Sequence, residues 1–222
     1  MNQRGIRPKA VLFDLDGTLV DTHGLILQCY EYATQTHLQQ PMRQELWQQL
    51  VGLPLDLVFE ALCLHYGTPI TPALIDTLKK TYRAHMHDHA GNIRAFPGIL
   101  EMLTTLRERD LRMAVVTTKN RPMALRHLET AELTDFFAVI VAGDDLKNMK
   151  PDPEPFLRAL ELLELRAEDA VHIGDSQHDI IGAKAAGIYA IAALWGADNK
   201  ETLLAAGPDH SINDPSEISA IF

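Results

Sequence analysis

The stretch Ala-Val-Leu-Phe-Asp-Leu-Asp-Gly-Thr-Leu-Val-Asp at residues 10–21 constrains this chain more than any other. Its apolar start stops abruptly at Asp14, with Asp16, Gly17 and Thr18 close behind. A short apolar run closed by a turn signal reads as a strand buried on both faces. Asp14 then stands at the carboxyl end of that strand, where open α/β sheets place their ligands. Two carboxylates one residue apart repel each other, and both need solvation or a cation. A divalent metal is the natural partner. The competing reading is a plain strand-to-turn junction in which Asp14 caps the turn.

The architecture is decided downstream of Asp21. Residues 22–96 show helical periodicity and no convincing strand: Leu25, Ile26, Cys29, Tyr30 and Ala33 form one stripe, and Leu57, Val58, Ala61, Leu62 and His65 another. Thr71-Pro72 is an N-cap with proline at the first helical position, while Gly52-Leu53-Pro54 and Gly67-Thr68-Pro69 break helices. From residue 97 helix and strand alternate, with strands expected at 113–116, 137–141, 170–173 and 189–194, and a last short helix opening at Asp214-Pro215. Gly187 reads as the glycine that ends a helix. Strands separated by single amphipathic helices imply right-handed crossovers. The expected fold is α/β: a doubly wound, Rossmann-like parallel sheet from residues 1–21 and 97–222, with an all-helical cap domain inserted at 22–96.

In that fold the polar residues of interest converge. Asp14 and Asp16, Thr117, Lys150 and Asp175 come from four distant segments and reach the same sheet edge. Three carboxylates around one point suit a hard, oxygen-seeking cation such as Mg²⁺, and suit zinc poorly. Thr117 offers a hydroxyl and Lys150 a point charge, both fitted to phosphoryl oxygens. A carboxylate there can attack phosphorus, and a second carboxyl two residues on can give and take a proton. Asp14 and Asp16 fit that pair.

Composition narrows the partners. A formal net charge of -10 with no Lys/Arg-rich run argues against nucleic acid and anionic membranes. No stretch is long and apolar enough to span a bilayer, and the start has no signal-peptide core. The two cysteines, Cys29 and Cys63, give neither a metal spacing nor a disulfide framework, so a cytoplasmic protein is expected.

Phe-Asp-Leu-Asp-Gly-Thr-Leu-Val-Asp, Val-Val-Thr-Thr-Lys, Lys-Pro-Asp-Pro-Glu-Pro and Gly-Asp-Ser-Gln-His-Asp, in that order, together resemble the motifs of the haloacid dehalogenase superfamily. The resemblance spans nearly the whole chain. It implies that Asp14 is the nucleophile, Asp16 the general acid/base, and Thr117 and Lys150 phosphate binders. It further implies a Mg²⁺ held by Asp14, the backbone carbonyl of Asp16, and Asp175, with Asp179 supporting the metal or orienting the lysine. Asp16 argues for a phosphoryl substrate, because true dehalogenases of the superfamily lack that second aspartate. Thr118 stands where relatives often carry asparagine, next to the phosphate contact.

Finer matches in 51–55, 142–146 and 195–209 resemble phosphoglycolate phosphatases and their pyrophosphatase relatives. The expected activity is hydrolysis of a small phosphorylated metabolite, with phosphoglycolate first, by a monomer or homodimer. A β-phosphoglucomutase-like mutase, a pyrophosphatase and a non-catalytic binding module are the alternatives.

Several residues invite a functional reading that the sequence does not support. His85, His87 and His89 read as a solvated helix end, since His87 leaves the face of the other two. His172 reads as a core histidine, Trp195 as packing, and Asp144-Asp145 as support for the lysine loop. Arg43, Lys79, Lys80, Arg83 and Arg94 read as charges of the helical insertion, mostly ordinary surface groups, with binding of a substrate carboxylate by one of them as the alternative.

Overall fold

The computed structural model describes residues 7–50, 53–197 and 199–221. Val51 and Gly52, which belong to the expected helix break and to one finer motif, lie outside the described residues. The chain divides into two compact units, one formed by residues Met1–Asp21 and Ile93–Phe222 and the other by Thr22–Asn92.

The first unit carries six strands: β1 (Ala10–Phe13), β2 (Arg112–Val116), β3 (Val139–Val141), β4 (Ala170–Gly174), β5 (Tyr189–Ala193) and β6 (His210–Ile212). They form one sheet in the order β3-β2-β1-β4-β5-β6. Every pair is parallel. The doubly wound parallel sheet is therefore present. All four β1 residues are buried, as a central parallel strand covered on both faces requires.

Helices α5 (Ile99–Glu108), α6 (Arg121–Thr130), α7 (Glu154–Leu162), α8 (Gln177–Ala185) and α9 (Lys200–Ala205) connect the strands. Here α5 to α9 continue the numbering from α1 to α4, the helices of the other unit. α8 ends as expected, with Gly187 at φ 77° just beyond its last turn.

Two elements differ from the sequence reading. The strand expected at 137–141 begins only at Val139, because residues Thr134–Phe136 form a 3₁₀ turn that uses up the approach. β6 has no counterpart among the expected strands: it is three residues long, and His210 is exposed while Ile212 is buried, so no alternation can develop.

Register fixes what meets at the sheet edge. Phe13 pairs with Val115 on one side and Ile173 on the other. Asp14 is then level with Val116 and Gly174, and Thr117 and Asp175 lie one residue further along. The chain beyond Asp14 is tied back: the N–H of Gly17 donates to the carbonyl of Val20, and Val20 bridges Ala95. Phe96 and Asp21 complete that short pairing through the carbonyls of Leu19 and Arg94.

The second unit consists of α1 (His23–Leu38), α2 (Gln44–Leu50), α3 (Leu55–His65) and α4 (Pro72–His89). α4 opens at Thr71, whose side chain accepts from the N–H of Leu74, with Pro72 in the first turn. Tyr30 is the hub of its core, with ring centroids 5.3 Å from Phe59, 4.7 Å from Tyr82 and 5.7 Å from Trp47. Cys29 and Cys63 are buried there as free thiols. The face of α3 is rotated from the expected one: Val58, Phe59, Leu62 and Cys63 are buried, while Leu57 is exposed.

Candidate active site

Asp14 extends β1, its N–H donating to the carbonyl of Ile173 at 3.0 Å. Its Oδ1 accepts from Lys150 Nζ at 2.7 Å. That same ammonium donates to Asp179 Oδ1 at 2.6 Å and to the carbonyl of Val116 at 3.0 Å. All three Nζ donors are thus taken up by protein oxygens, and Lys150 is 3 % exposed. The resemblance makes this lysine a phosphate binder; what it holds in this structure are the two carboxylates and the strand.

Asp179 is fully buried in the first turn of α8. Its Oδ2 accepts from the N–H and hydroxyl of Ser176 at 3.2 and 2.6 Å, a capping box that closes the helix start. Its Oδ1 also faces His172 Nε2 at 3.2 Å. Both oxygens are committed to donors, the geometry of a group that orients Lys150. Gly174 permits the approach: a Cβ there would lie 2.4 Å from the Asp179 side chain. His172 is a buried core histidine, as expected, and its Nε2 meets Asp179.

The carboxyl groups of Asp14, Asp175 and Asp179 place one oxygen each within 4.8 Å of one another. Asp175 is 6 % exposed, and its Oδ1 accepts from the Thr18 hydroxyl at 2.8 Å. This bond joins residues 157 apart in the chain.

Asp16, two residues beyond Asp14, has different company. Its Oδ2 lies 3.2 Å from Lys119 Nζ and its Oδ1 lies 3.4 Å from His127 Nδ1. The Thr117 hydroxyl accepts from the N–H of Lys119 at 3.2 Å, so the turn after β2 is closed on itself. Thr118 sits inside that turn, half-buried. The Thr18 carbonyl accepts from Trp195 Nε1 at 2.9 Å, so Trp195 is a clamp on the Asp16 turn as well as packing. Gly17 takes φ 81°, and a Cβ on Gly196 would fall 1.6 Å from the Gly17 carbonyl oxygen.

The electrostatics follow from burial. Burial pushes the Asp14 carboxyl up to about 7, helped by Asp179 and Asp16, and Lys150 offsets this only in part. Burial by itself would lower Lys150, but Asp14 and Asp179 overcome it and hold the ammonium above its ordinary value. Burial would raise Asp179, yet Lys150 and His172 outweigh it and keep that carboxylate well below the usual range. Lys150 is in effect won by Asp179, and Asp14 is left with too little positive charge. Burial likewise lowers His127 and His172, so both rings are neutral near pH 7. The carboxylates of Asp14, Asp16, Asp175 and Asp179 then face the ammonium groups of Lys119 and Lys150, an excess of negative charge that suits a hard divalent cation. The donors are all oxygen, which fits such an ion and not a soft one.

The remaining candidates fall elsewhere. Asp144 and Asp145 engage Arg121 at the start of α6, and Asp145 also caps the end of β3. Asp144 accepts from the N–H of Arg121 at 2.7 Å, and Asp145 pairs with its guanidinium at 2.9 Å and caps Ala142 at 2.8 Å. They fasten the start of α6 to the end of β3. His85 stacks on Tyr32 at 4.4 Å and on His89 at 4.1 Å at the end of α4. No group of metal-holding residues includes them among the described residues. Lys79 and Lys80 pair with Asp56 and Asp76. Sequence reasoning missed Thr18, Lys119 and His127; the signal for the last was an imidazole on the buried face of α6, between Ala124 and Leu128.

A family model described as haloacid dehalogenase-like hydrolase matches residues 11–193. The chain belongs to the haloacid dehalogenase-like hydrolases. A pyrophosphatase PpaX from Halalkalibacterium halodurans is 32% identical over 209 residues, 94% of this chain and 94% of that protein. A predicted phosphoglycolate phosphatase from Haemophilus somnus superposes with a TM-score of 0.87 at 23% identity, over 96% of this chain and 97% of that one. CbbY from Rhodobacter sphaeroides, in complex with xylulose-1,5-bisphosphate, gives 0.85 at 24% identity, over 95% and 96%. Both structures speak to the fold alone. Among the described residues, no helix is long and apolar enough to cross a membrane.

Proposed function

We propose that this chain is a phosphatase that hydrolyses a small phosphorylated metabolite through an aspartyl-phosphate on Asp14, with Mg²⁺ as its metal. The observation that carries the reading is the lysine bridge, Asp14 to Lys150 to Asp179, beside Asp175 at the carboxyl edge of the sheet. Asp14, the backbone carbonyl of Asp16 and Asp175 would hold the ion, which supplies neutralisation of charge between nucleophile and phosphoryl group.

The chain's own residues account for the remaining chemistry. Asp14 attacks phosphorus while the bond to the leaving oxygen breaks, and Asp16 delivers its carboxylic proton to that oxygen. Water then attacks the phosphorus, Asp16 takes the water proton, and the Asp14–phosphorus bond opens to give inorganic phosphate. Lys150, steadied by Asp179, offsets the repulsion between the Asp14 carboxylate and the incoming anion. Thr117 and Thr118 offer hydroxyl and backbone groups to the phosphoryl oxygens. The helical unit Thr22–Asn92 is read as the cap that selects the substrate, and the two buried thiols fit a cytoplasmic setting.

On the substrate, the 32% identity to a pyrophosphatase supports pyrophosphate ahead of phosphoglycolate. The test is phosphate release from pyrophosphate, phosphoglycolate, glucose 1-phosphate and p-nitrophenyl phosphate, with Mg²⁺ and after chelation. Release that requires the metal and vanishes in Asp14→Asn is expected. A sugar phosphate that isomerises without net phosphate release overturns the hydrolase reading in favour of a mutase.

A further inference from the structure

We infer that His127 is a positioning residue for proton transfer, holding the Asp16 carboxyl in the orientation that meets the leaving oxygen. This rests on the reading of Asp16 as general acid and base. His127 is fully buried in α6, and its Nδ1 lies 3.4 Å from Asp16 Oδ1. Among the described residues, neither of its ring nitrogens has a well-aligned hydrogen-bond partner. Burying an imidazole without partners is costly, and leucine would fill the same space at no such cost. The carboxylate the structure places beside that ring is that of Asp16. Contacts of this kind are commonly loose before substrate arrives and tighten in the reacting complex.

The surroundings are built to hold His127 still. α6 starts at Asn120, whose side chain accepts from the N–H of Met123 at 3.1 Å. Arg121 is tied to Asp144, to Asp145 and, through Nη2, to the carbonyl of Ile140 at 2.7 Å. The helix therefore cannot turn without breaking its fastening to β3. Lys119 is fixed at its backbone as well, its carbonyl accepting from Gly143 at 2.8 Å and its N–H reaching the Thr117 hydroxyl. Lys119 lies 3.2 Å from Oδ2 and His127 3.4 Å from Oδ1, so each carboxyl oxygen has a nitrogen beside it, and tightening of the His127 contact on substrate binding would hold the carboxyl in one orientation.

A positioning role in proton donation has a signature that simple packing lacks. Departure of p-nitrophenolate needs little help from a proton, whereas departure of phenolate needs much more. The experiment compares kcat/KM for phenyl phosphate and p-nitrophenyl phosphate, with Mg²⁺, in wild type, His127→Leu and His127→Asn. kcat/KM reports the step in which the leaving group departs, whatever limits turnover later. His127→Leu is expected to lose about tenfold or more on phenyl phosphate and no more than about threefold on p-nitrophenyl phosphate. His127→Asn, whose amide nitrogen sits near the place of Nδ1, is expected to restore both to within about threefold of wild type. Equal losses on the two esters, or a Leu variant with wild-type ratios, overturn the inference. If His127→Leu does not fold, His127→Phe keeps a planar ring without nitrogen and is read the same way. Failure of the underlying reading is visible separately, as wild-type protein inert on both esters or Asp14→Asn that retains activity.

Discussion

Asp14 and Asp16 are two residues apart, and the protein treats them in opposite ways. Asp14 closes a strand, is nearly sealed from solvent, and shares Lys150 with a carboxylate that holds it more strongly. Asp16 stands on the turn, 17 % exposed at its side chain, with Lys119 on one oxygen and His127 on the other. The first corner leaves a carboxylate under-compensated, which fits the proposed role of Asp14 as a nucleophile that a cation would complete. The second supplies partners that fix a direction. In the proposed mechanism one dipeptide step separates attack from proton transfer, because β1 ends at Phe13, Asp14 still follows its pairing, and the chain has left the sheet by Asp16.

The largest expected effect tests the first corner. Asp14→Asn is expected to lower kcat/KM by about 10³-fold or more, since the covalent route disappears with the carboxylate. The fold is expected to survive, because Lys150 keeps Asp179 and Val116 as partners. Lys150→Met attacks the same corner from the other side. It strands Asp14 and Asp179 as buried carboxylates, and loss of one partner of such a cluster costs about 3–5 kcal/mol. For a chain of this size that is a melting-temperature drop of roughly 10 °C, measurable by calorimetry. A drop no larger than that of a surface substitution would break the idea that this lysine is structural as well as chemical.

A pH experiment sharpens the same comparison. Asp14 is raised to about 7 in the folded state by burial, against about 3.9 in an unfolded chain. A carboxyl raised in the native state contributes stability that is complete below about pH 4 and is lost as pH climbs to about 7. The metal-free protein is therefore expected to lose on the order of 2–4 kcal/mol through Asp14 across that interval. Asp179 works in the other direction: held low, it contributes stability above the unfolded value that is lost only as pH falls below about 4. The two windows do not overlap. Metal-free Asp14→Asn is expected to melt several degrees above wild type at about pH 8 and to show a flatter profile between about pH 4 and 7. Added Mg²⁺ is expected to raise wild type more than the variant. Parallel profiles for the two proteins would mean that Lys150 compensates Asp14 in full.

Much of this is legible in the sequence, and for identifiable reasons. β1 announces itself because a strand buried on both faces is a continuous apolar run, and its abrupt end marks the edge at which Thr117, Lys150 and Asp175 arrive. The sheet can be read because each crossover helix carries its own periodicity. What escapes depends on tertiary approach. β6 is three residues long with one buried side chain, too short for any pattern. The Thr18–Asp175 bond joins distant parts of the chain, and Thr18 by itself is an ordinary turn threonine. His127 looks like one more residue of an amphipathic helix, and only the close passage of α6 behind the Asp16 turn gives it meaning. Lys119 lies inside a recognisable motif, yet nothing local says that its ammonium turns to Asp16.

The smallest predicted effect falls on the residue that links the two corners. Thr18 follows Asp16 along the chain, but its hydroxyl reaches across to Asp175, while its carbonyl receives Trp195. Thr18→Val keeps the shape and the carbonyl and removes only the donor to Asp175. Loss of such a buried partner is expected to cost about 1–2 kcal/mol of stability. A ligand that loses its supporting hydrogen bond also binds more weakly, so Mg²⁺ affinity from activity titrations is expected to fall about tenfold. The ratio of kcat/KM between phenyl and p-nitrophenyl phosphate is expected to stay at the wild-type value, because the grip on Asp16 is untouched. A changed ratio would show that the metal corner and the proton-transfer corner move together. The separation of roles between Asp14 and Asp16 would then belong to the turn as a whole and not to the partners each one has.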